Sequence, residues 1–134
     1  TVASTNWNAG TSTVRWDNQI ATNPAFSHVV NSDTVTINDS GDYLVVYSDH
    51  HTSTVQRSNV RIQVQKNGVN QVGGVCKSHY NRNVDGHIES SCSLNFFLDN
   101  VNATDTIRIQ TTNESSGGTV NDASPAGLTL LKVR

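Results

Sequence analysis

Side chains that alternate in polarity with a period of two run through most of this chain, and in three places both faces are apolar instead. Asn59–Gln65 keeps the alternation strictly, with Val60, Ile62 and Val64 opposed to Asn59, Arg61, Gln63 and Gln65. Thr106–Thr112 repeats it with Ile107 and Ile109 against Arg108 and Gln110, and Val35 and Ile37 do so among threonines. Such segments fit half-buried antiparallel strands with one dry and one wet face. The exceptions begin with Tyr43–Ser48, where Tyr43, Val45 and Tyr47 oppose Leu44 and Val46. In Ile88–Leu98, Leu94 and Phe96 oppose Phe97; in Leu128–Val133, Leu128 and Leu130 oppose Leu131 and Val133.

A strand in a two-sheet sandwich needs only one apolar face, turned toward the other sheet. Three strands with a second apolar face, gathered in one sheet, leave more outer surface than soluble monomers expose. In a chain of 134 residues the simplest cover is another copy of itself. The pattern predicts a homo-oligomer; the alternative cover is the loops or the N-terminal arm, through Trp7.

Composition supports strands and excludes a helical bundle. Valine is the commonest residue at 17, asparagine, serine and threonine number 16, 15 and 15, and charged residues make up only 15%, against ~25% in ordinary soluble domains. Val and Thr with little Glu or Lys suit pleated strands joined by uncharged turns. The net charge is -2 and the nine Lys and Arg are scattered singly, so no nucleic-acid partner is expected. Apolar runs are as short as Leu44-Val45-Val46, which predicts no membrane insertion. The chain opens on Thr rather than Met and shows no signal peptide, as a processed or trimmed chain would.

One domain fits this length. Residues 1–12 are polar and read as an N-terminal arm or connector, and 13–134 as the domain. Strands are predicted at Val14–Ile20, Phe26–Val30, Thr34–Ile37, Tyr43–Ser48 and Asn59–Gln65, then at Val69–Ser78, Ile88–Leu98, Thr106–Thr112 and Leu128–Val133. Asn67-Gly68 is the strongest turn signal, because a type I′ turn needs two residues at positive φ.

The order of these motifs resembles the C1q/TNF-like jelly-roll family. Thr34-Val35-Thr36-Ile37 leads into Ser40-Gly41-Asp42-Tyr43-Leu44-Val45, and a later strand ends in Lys66-Asn67-Gly68. Leu98 then runs to Asp105-Thr106-Ile107-Arg108-Ile109, and Leu128-Thr129-Leu130-Leu131-Lys132-Val133 closes the chain. The resemblance covers about residues 14–134. It implies an all-β, two-sheet antiparallel jelly-roll sandwich that assembles as a homotrimer through its inner sheet. The inner-sheet strands would be those holding Tyr43, Leu44, Val45, Val46, Tyr47, Phe96, Phe97, Leu128, Leu130, Leu131 and Val133. There is no collagen-like Gly-x-y stalk. The Asn/Ser/Thr texture is closer to free-standing versions in phage virions and on bacterial surfaces.

Little points to catalysis. No Gly-x-Ser-x-Gly elbow or paired carboxylates occur, so no enzyme is expected. Asp49-His50-His51 is read as the loop after the Tyr43 strand, and His79, Tyr80 and His87 as flanking a hairpin tip. Together they are candidate ligand loops, or solvated surface histidines, and no metal spacing is evident. Asp39, Asp42, Asp99, Asp105 and Asp122 are candidate calcium donors without a recognisable calcium loop; otherwise no cofactor is expected. A hairpin of Val69–Ser78 with Ile88–Leu98, centred near Val84, sets Cys76 opposite Cys92. A disulfide there is sterically plausible, and two reduced thiols are the alternative.

The expected function is a non-enzymatic structural or adhesion module, displayed on a virion as a decoration or fibre-head protein, or on the cell exterior. Trp7 would attach it to the parent assembly. A carbohydrate-binding lectin domain, using loop Asn/Asp and aromatic residues on a glycan, is the alternative.

Overall fold

A computed structural model of the chain describes residues 2–4, 12–54, 57–80, 82, 86–114 and 120–134. Among them there is no helix, and none long and apolar enough to cross a membrane. The strands are β1 (Val2–Ser4), β2 (Ser12–Thr13), β3 (Asn18–Gln19), β4 (Phe26–His28), β5 (Val35–Ile37) and β6 (Gly41–Ser53). They continue with β7 (Val60–Lys66), β8 (Val69–Lys77), β9 (Glu89–Val101), β10 (Thr106–Asn113) and β11 (Val120–Lys132). All pairings are antiparallel. The inner sheet has the order β3-β1-β11-β6-β9, and the outer sheet β4-β5-β10-β7-β8, with β2 also on β10. The first and last strands lie side by side, as the jelly-roll resemblance implies.

Period-two side chains fill the space between the sheets. Val60, Ile62, Val64, Ile107 and Ile109 come from the outer sheet and meet Tyr43, Val45, Tyr47, Leu94, Leu98 and Leu128 from the inner one, all buried. The β7–β8 hairpin closes on Asn67 (φ 52°) and Gly68 (φ 78°), the two positive values that a type I′ turn requires.

Four expectations need correction. Val14–Ile20 is not one strand: β2 pairs with the outer sheet and β3 with the inner. The chain changes sheets there, with Val14 and Trp16 both fully buried. Asp49-His50-His51 is not a loop, because β6 continues to Ser53. The candidate hairpin of Val69–Ser78 with Ile88–Leu98 does not form: β8 pairs with β7 and β9 with β6, in different sheets. Finally, β11 begins at Val120, well before Leu128, and bulges where Asp122 to Gly127 follow β6.

The motif Gly41-Asp42-Tyr43 has a steric reason. A Cβ on Gly41 would lie 2.0 Å from the Arg134 carbonyl oxygen, so only glycine lets the last residue approach. Asp42 completes that junction. Its N–H donates to the Arg134 carbonyl (2.9 Å), its carbonyl accepts from Val133 N–H (2.7 Å), and its carboxylate meets the Arg134 guanidinium (2.6 Å).

Candidate functional site

The register of β6 with its neighbours lays out the outward face of the inner sheet row by row. Leu44 faces Leu131 on one side and Phe97 on the other, an apolar row three strands wide. The next row is Thr129–Val46–Asn95, then Gly127–Ser48–Ser93, then Ser124–His50–Ser91. Along β6 this face passes from large apolar to small to polar. Phe97 and Leu131 are 48% and 52% exposed, and Leu44 and Val46 are half-buried.

The same strands divide the interface set in two. Tyr43, Val45, Tyr47, Leu128 and Leu130 point into the sandwich and belong to its core. Phe96 is partly buried against that core, its ring packed over Gly74 of β8. Leu44, Val46, Phe97 and Leu131 are outward, and Val133 is exposed just past β11.

Strand geometry likewise separates the histidines. His50 points outward, its Nε2 3.2 Å from Glu89 Oε2. His51 points inward and is buried with Asp49. The Asp49 carboxylate accepts from the Tyr47 hydroxyl (2.9 Å) and the Cys92 N–H (2.9 Å), and lies 3.2 Å from His51 Nδ1. Tyr47 in turn meets the edge of Trp16, ring centres 6.4 Å apart. This polar insert resembles a relay in composition but is closed to substrate, with both side chains 1% exposed or less. Its position satisfies buried polar groups; it is a core device.

His79, Tyr80 and His87 are exposed in the β8–β9 connection, at the Ser53 end of β6, where Ser53 N–H donates to the Ile88 carbonyl. Among the described residues no three His, Cys, Asp or Glu side chains converge as a metal site would need. The acidic turn residues are engaged by the protein. Asp39 pairs with Lys132 (2.7 Å), and Asp105 accepts from Asn67 Nδ2 (2.7 Å) and Asn102 N–H (2.9 Å). The Asn100 N–H and then the Arg134 guanidinium hold the Asp42 carboxyl below the usual carboxylate range. Asn67 and Asn102 lower Asp105 in the same way, and the Lys77 ammonium does so for Glu114. Asp99 is exposed; the Asp122 side chain lies outside the described residues, as does Trp7. From the arm, Val2–Ser4 pair with Ala126–Leu128.

Cys76 and Cys92 are disulfide-bonded, Cα to Cα 6.4 Å. The bond joins β8 to β9 across the two sheets at one edge of the sandwich, with Phe96 on Gly74 beside it. Sequence reasoning passed over Trp16 and Gln63. The shared face of Val14 and Trp16 was the available signal for the first. Nothing local marked Gln63, whose amide donates to the carbonyls of Gln71 (2.8 Å) and Gly74 (3.0 Å) where β8 bulges.

Neither a protein-family model nor a curated protein sequence matches the chain. Solved structures do. Eiger TNF from S. frugiperda superposes with a TM-score of 0.59 at 10% identity, covering 96% of this chain and 85% of that one. Murine APRIL at pH 5.0 gives 0.50 at 15% identity, covering 85% of each. At such identities the likeness is one of fold. By its strand order, its two antiparallel sheets and these neighbours, the chain is a C1q/TNF-like jelly roll.

Proposed function

We propose that this jelly roll is a non-enzymatic homotrimeric module, a structural or adhesion element displayed on a virion or on the cell exterior. The observation that carries the reading is the row Leu131–Leu44–Phe97 with Val46 below it, a contiguous apolar surface on the outward side of the inner sheet. Burying such a face against another copy removes apolar area from water at roughly 25 cal/mol per Å². A threefold arrangement follows from the jelly-roll resemblance. The disulfide suits an oxidising setting and supports the exterior placement. Arg134 lies beside Asp42 at the Gly41 end of β6, and Val2, paired with Leu128, is level with Tyr47 at its middle. The N-terminal arm and Trp7 would carry the attachment to the parent assembly.

Mass measurement in solution tests the assembly, with three times 14.5 kDa expected and a stable monomer refuting it. Stoichiometric recovery of the chain in a purified particle tests the display role. A second reading, carbohydrate binding, is favoured by the exposed Tyr80 between His79 and the β8–β9 tip. A glycan array separates it from a purely structural role.

A further inference from the structure

We propose that Asn102 is the acceptor of an N-linked glycan, with Thr104 supplying the hydroxyl that the transferase also requires. Three Asn-x-Ser/Thr triplets occur in the chain, at Asn38-Asp39-Ser40, Asn102-Ala103-Thr104 and Asn113-Glu114-Ser115, each an acceptor sequence by composition. The fold treats them differently. In the first, the Asn38 amide donates to the Pro24 carbonyl (3.0 Å) and its oxygen accepts from the Ser27 hydroxyl (3.1 Å). The Ser40 hydroxyl accepts from Ala103 N–H (2.8 Å), so both side chains of that triplet are engaged. In the third, Asn113 ends β10 opposite Val60, and Ser115 lies outside the described residues.

The second triplet is built the other way round. It forms the turn from β9 to β10, which main-chain groups and the Asp105 carboxylate close. Asp105 N–H donates to the Asn102 carbonyl (3.0 Å), Asn102 N–H to the Asp105 carboxylate (2.9 Å), and Thr104 N–H to the Ile37 carbonyl (2.7 Å). Asn102, Ala103 and Thr104 are exposed, and among the described residues nothing bonds the Asn102 carboxamide or the Thr104 hydroxyl. A sugar on Asn102 therefore displaces no contact of the fold. A second observation is independent of exposure. Thr104 has φ 78°, a left-handed conformation that is an outlier for a β-branched residue and that glycine adopts without strain. The other described non-glycine residues at positive φ are Asn31, Arg57, Asn67 and Asn100, none of them β-branched. Strain held at an exposed, unbonded side chain points to function rather than packing, and a hydroxyl two residues after Asn is what the triplet needs.

The transfer balances without redox chemistry. The donor is an oligosaccharide on a lipid diphosphate: its C1 bonds to Asn102 Nδ2 as the C1–O bond breaks. The diphosphate leaves with that bond's electron pair, and a base on the transferase takes one Nδ2 proton. The site goes beyond the display role and rests on its exterior placement only for passage through a eukaryotic secretory route.

The test secretes the full 134-residue chain from cultured eukaryotic cells and maps glycans by peptide mass before and after enzymatic release. Asn102 should be occupied. Asn102→Gln and Thr104→Gly should lose that glycan, and Thr104→Ser, which restores the hydroxyl, should keep it. With sugars released from both, Thr104→Gly should melt no lower than the unsubstituted chain. A bare Asn102 overturns the proposal, and so does a lower melting temperature for Thr104→Gly, which would make Thr104 a residue of the fold. Occupancy is read on peptides and assembly on the intact mass, so a glycosylated monomer refutes the trimer and leaves this site standing.

Discussion

On the outward face of the outer sheet, Arg61 donates to Gln63 (2.8 Å), and Arg108 donates to Gln65 (2.6 Å). Gln65 donates in turn to Asn70 (2.7 Å). Both glutamines are only 4% exposed, because the β8 bulge folds over them. On the outward face of the inner sheet the equivalent positions hold Leu44, Val46, Phe97 and Leu131. Over β7 and β10 the outer sheet closes its exterior within the protomer by polar groups that satisfy each other. The other presents apolar side chains that only a further surface can cover. Outward polarity in an alternating strand therefore separates a finished surface from an unfinished one.

The largest effect expected from that contrast is on assembly. Phe97→Asp or Leu131→Asp, at positions half exposed in the protomer, should leave the fold intact and reduce the mass in solution from the oligomer to 14.5 kDa. A charge trapped without a partner in the interface costs about 3–5 kcal/mol. Gln110→Glu, on the outer sheet, should leave the mass unchanged. Equal sensitivity of the two sheets would erase the distinction.

Next in size is the bond that ties the two sheets together. Fifteen residues separate Cys76 from Cys92, and closing a loop of that length stabilises by about 3 kcal/mol in the chain-entropy model. Cys76→Ser should lower the denaturant midpoint accordingly, while non-reducing mass analysis of the unmodified chain shows the link intact. The β8–β9 edge should loosen first, visible as faster amide exchange in β8 than in β10.

How much of this was legible in the sequence depended on whether a pattern was local. Alternation at Asn59–Gln65 and the Asn67-Gly68 turn are one-strand signals, and both elements formed where they were expected. Double-sided apolarity marked the strands of Leu44, Phe97 and Leu131, the jelly-roll resemblance implied that they share one sheet, and the register aligns the three residues in a row. Asp49 and His51 misled because polar residues normally end a buried strand. Here the Tyr47 hydroxyl and Cys92 N–H satisfy the carboxylate, and the Cys92 donor comes from a strand 43 residues away. The two cysteines were correctly paired in prospect but for the wrong geometry, since only the three-dimensional path shows that β8 and β9 leave in different sheets.

A smaller effect probes the finished surface directly. Gln65→Ala removes the acceptor of Arg108 and the donor to Asn70, a loss of about 1–2 kcal/mol for hydrogen bonds of this kind. Calorimetric melting should register it without any change in oligomer mass. A stability loss accompanied by dissociation would mean that the outer sheet also contributes to the interface.

The smallest effect is a response to acid that distinguishes fold from assembly. Asp42, Asp105 and Glu114 all hold their carboxyls below the usual range, through hydrogen bonds from Asn100, Asn67 and Lys77 respectively. A depressed folded-state pKa stabilises the fold above the unfolded value of about 4, and that contribution is lost as the pH falls through the lower folded value. These groups should therefore contribute their full, constant stabilisation between pH 7 and 5, and the melting temperature should fall once the pH drops below about 4. All three are surface groups in turns or at strand ends, so salt should weaken the dependence. Leu44, Val46, Phe97 and Leu131 carry no titratable group, so the oligomer mass should hold while the melting temperature falls. Dissociation that tracks the carboxylate titration instead would show that turn charges, rather than the apolar row, hold the copies together.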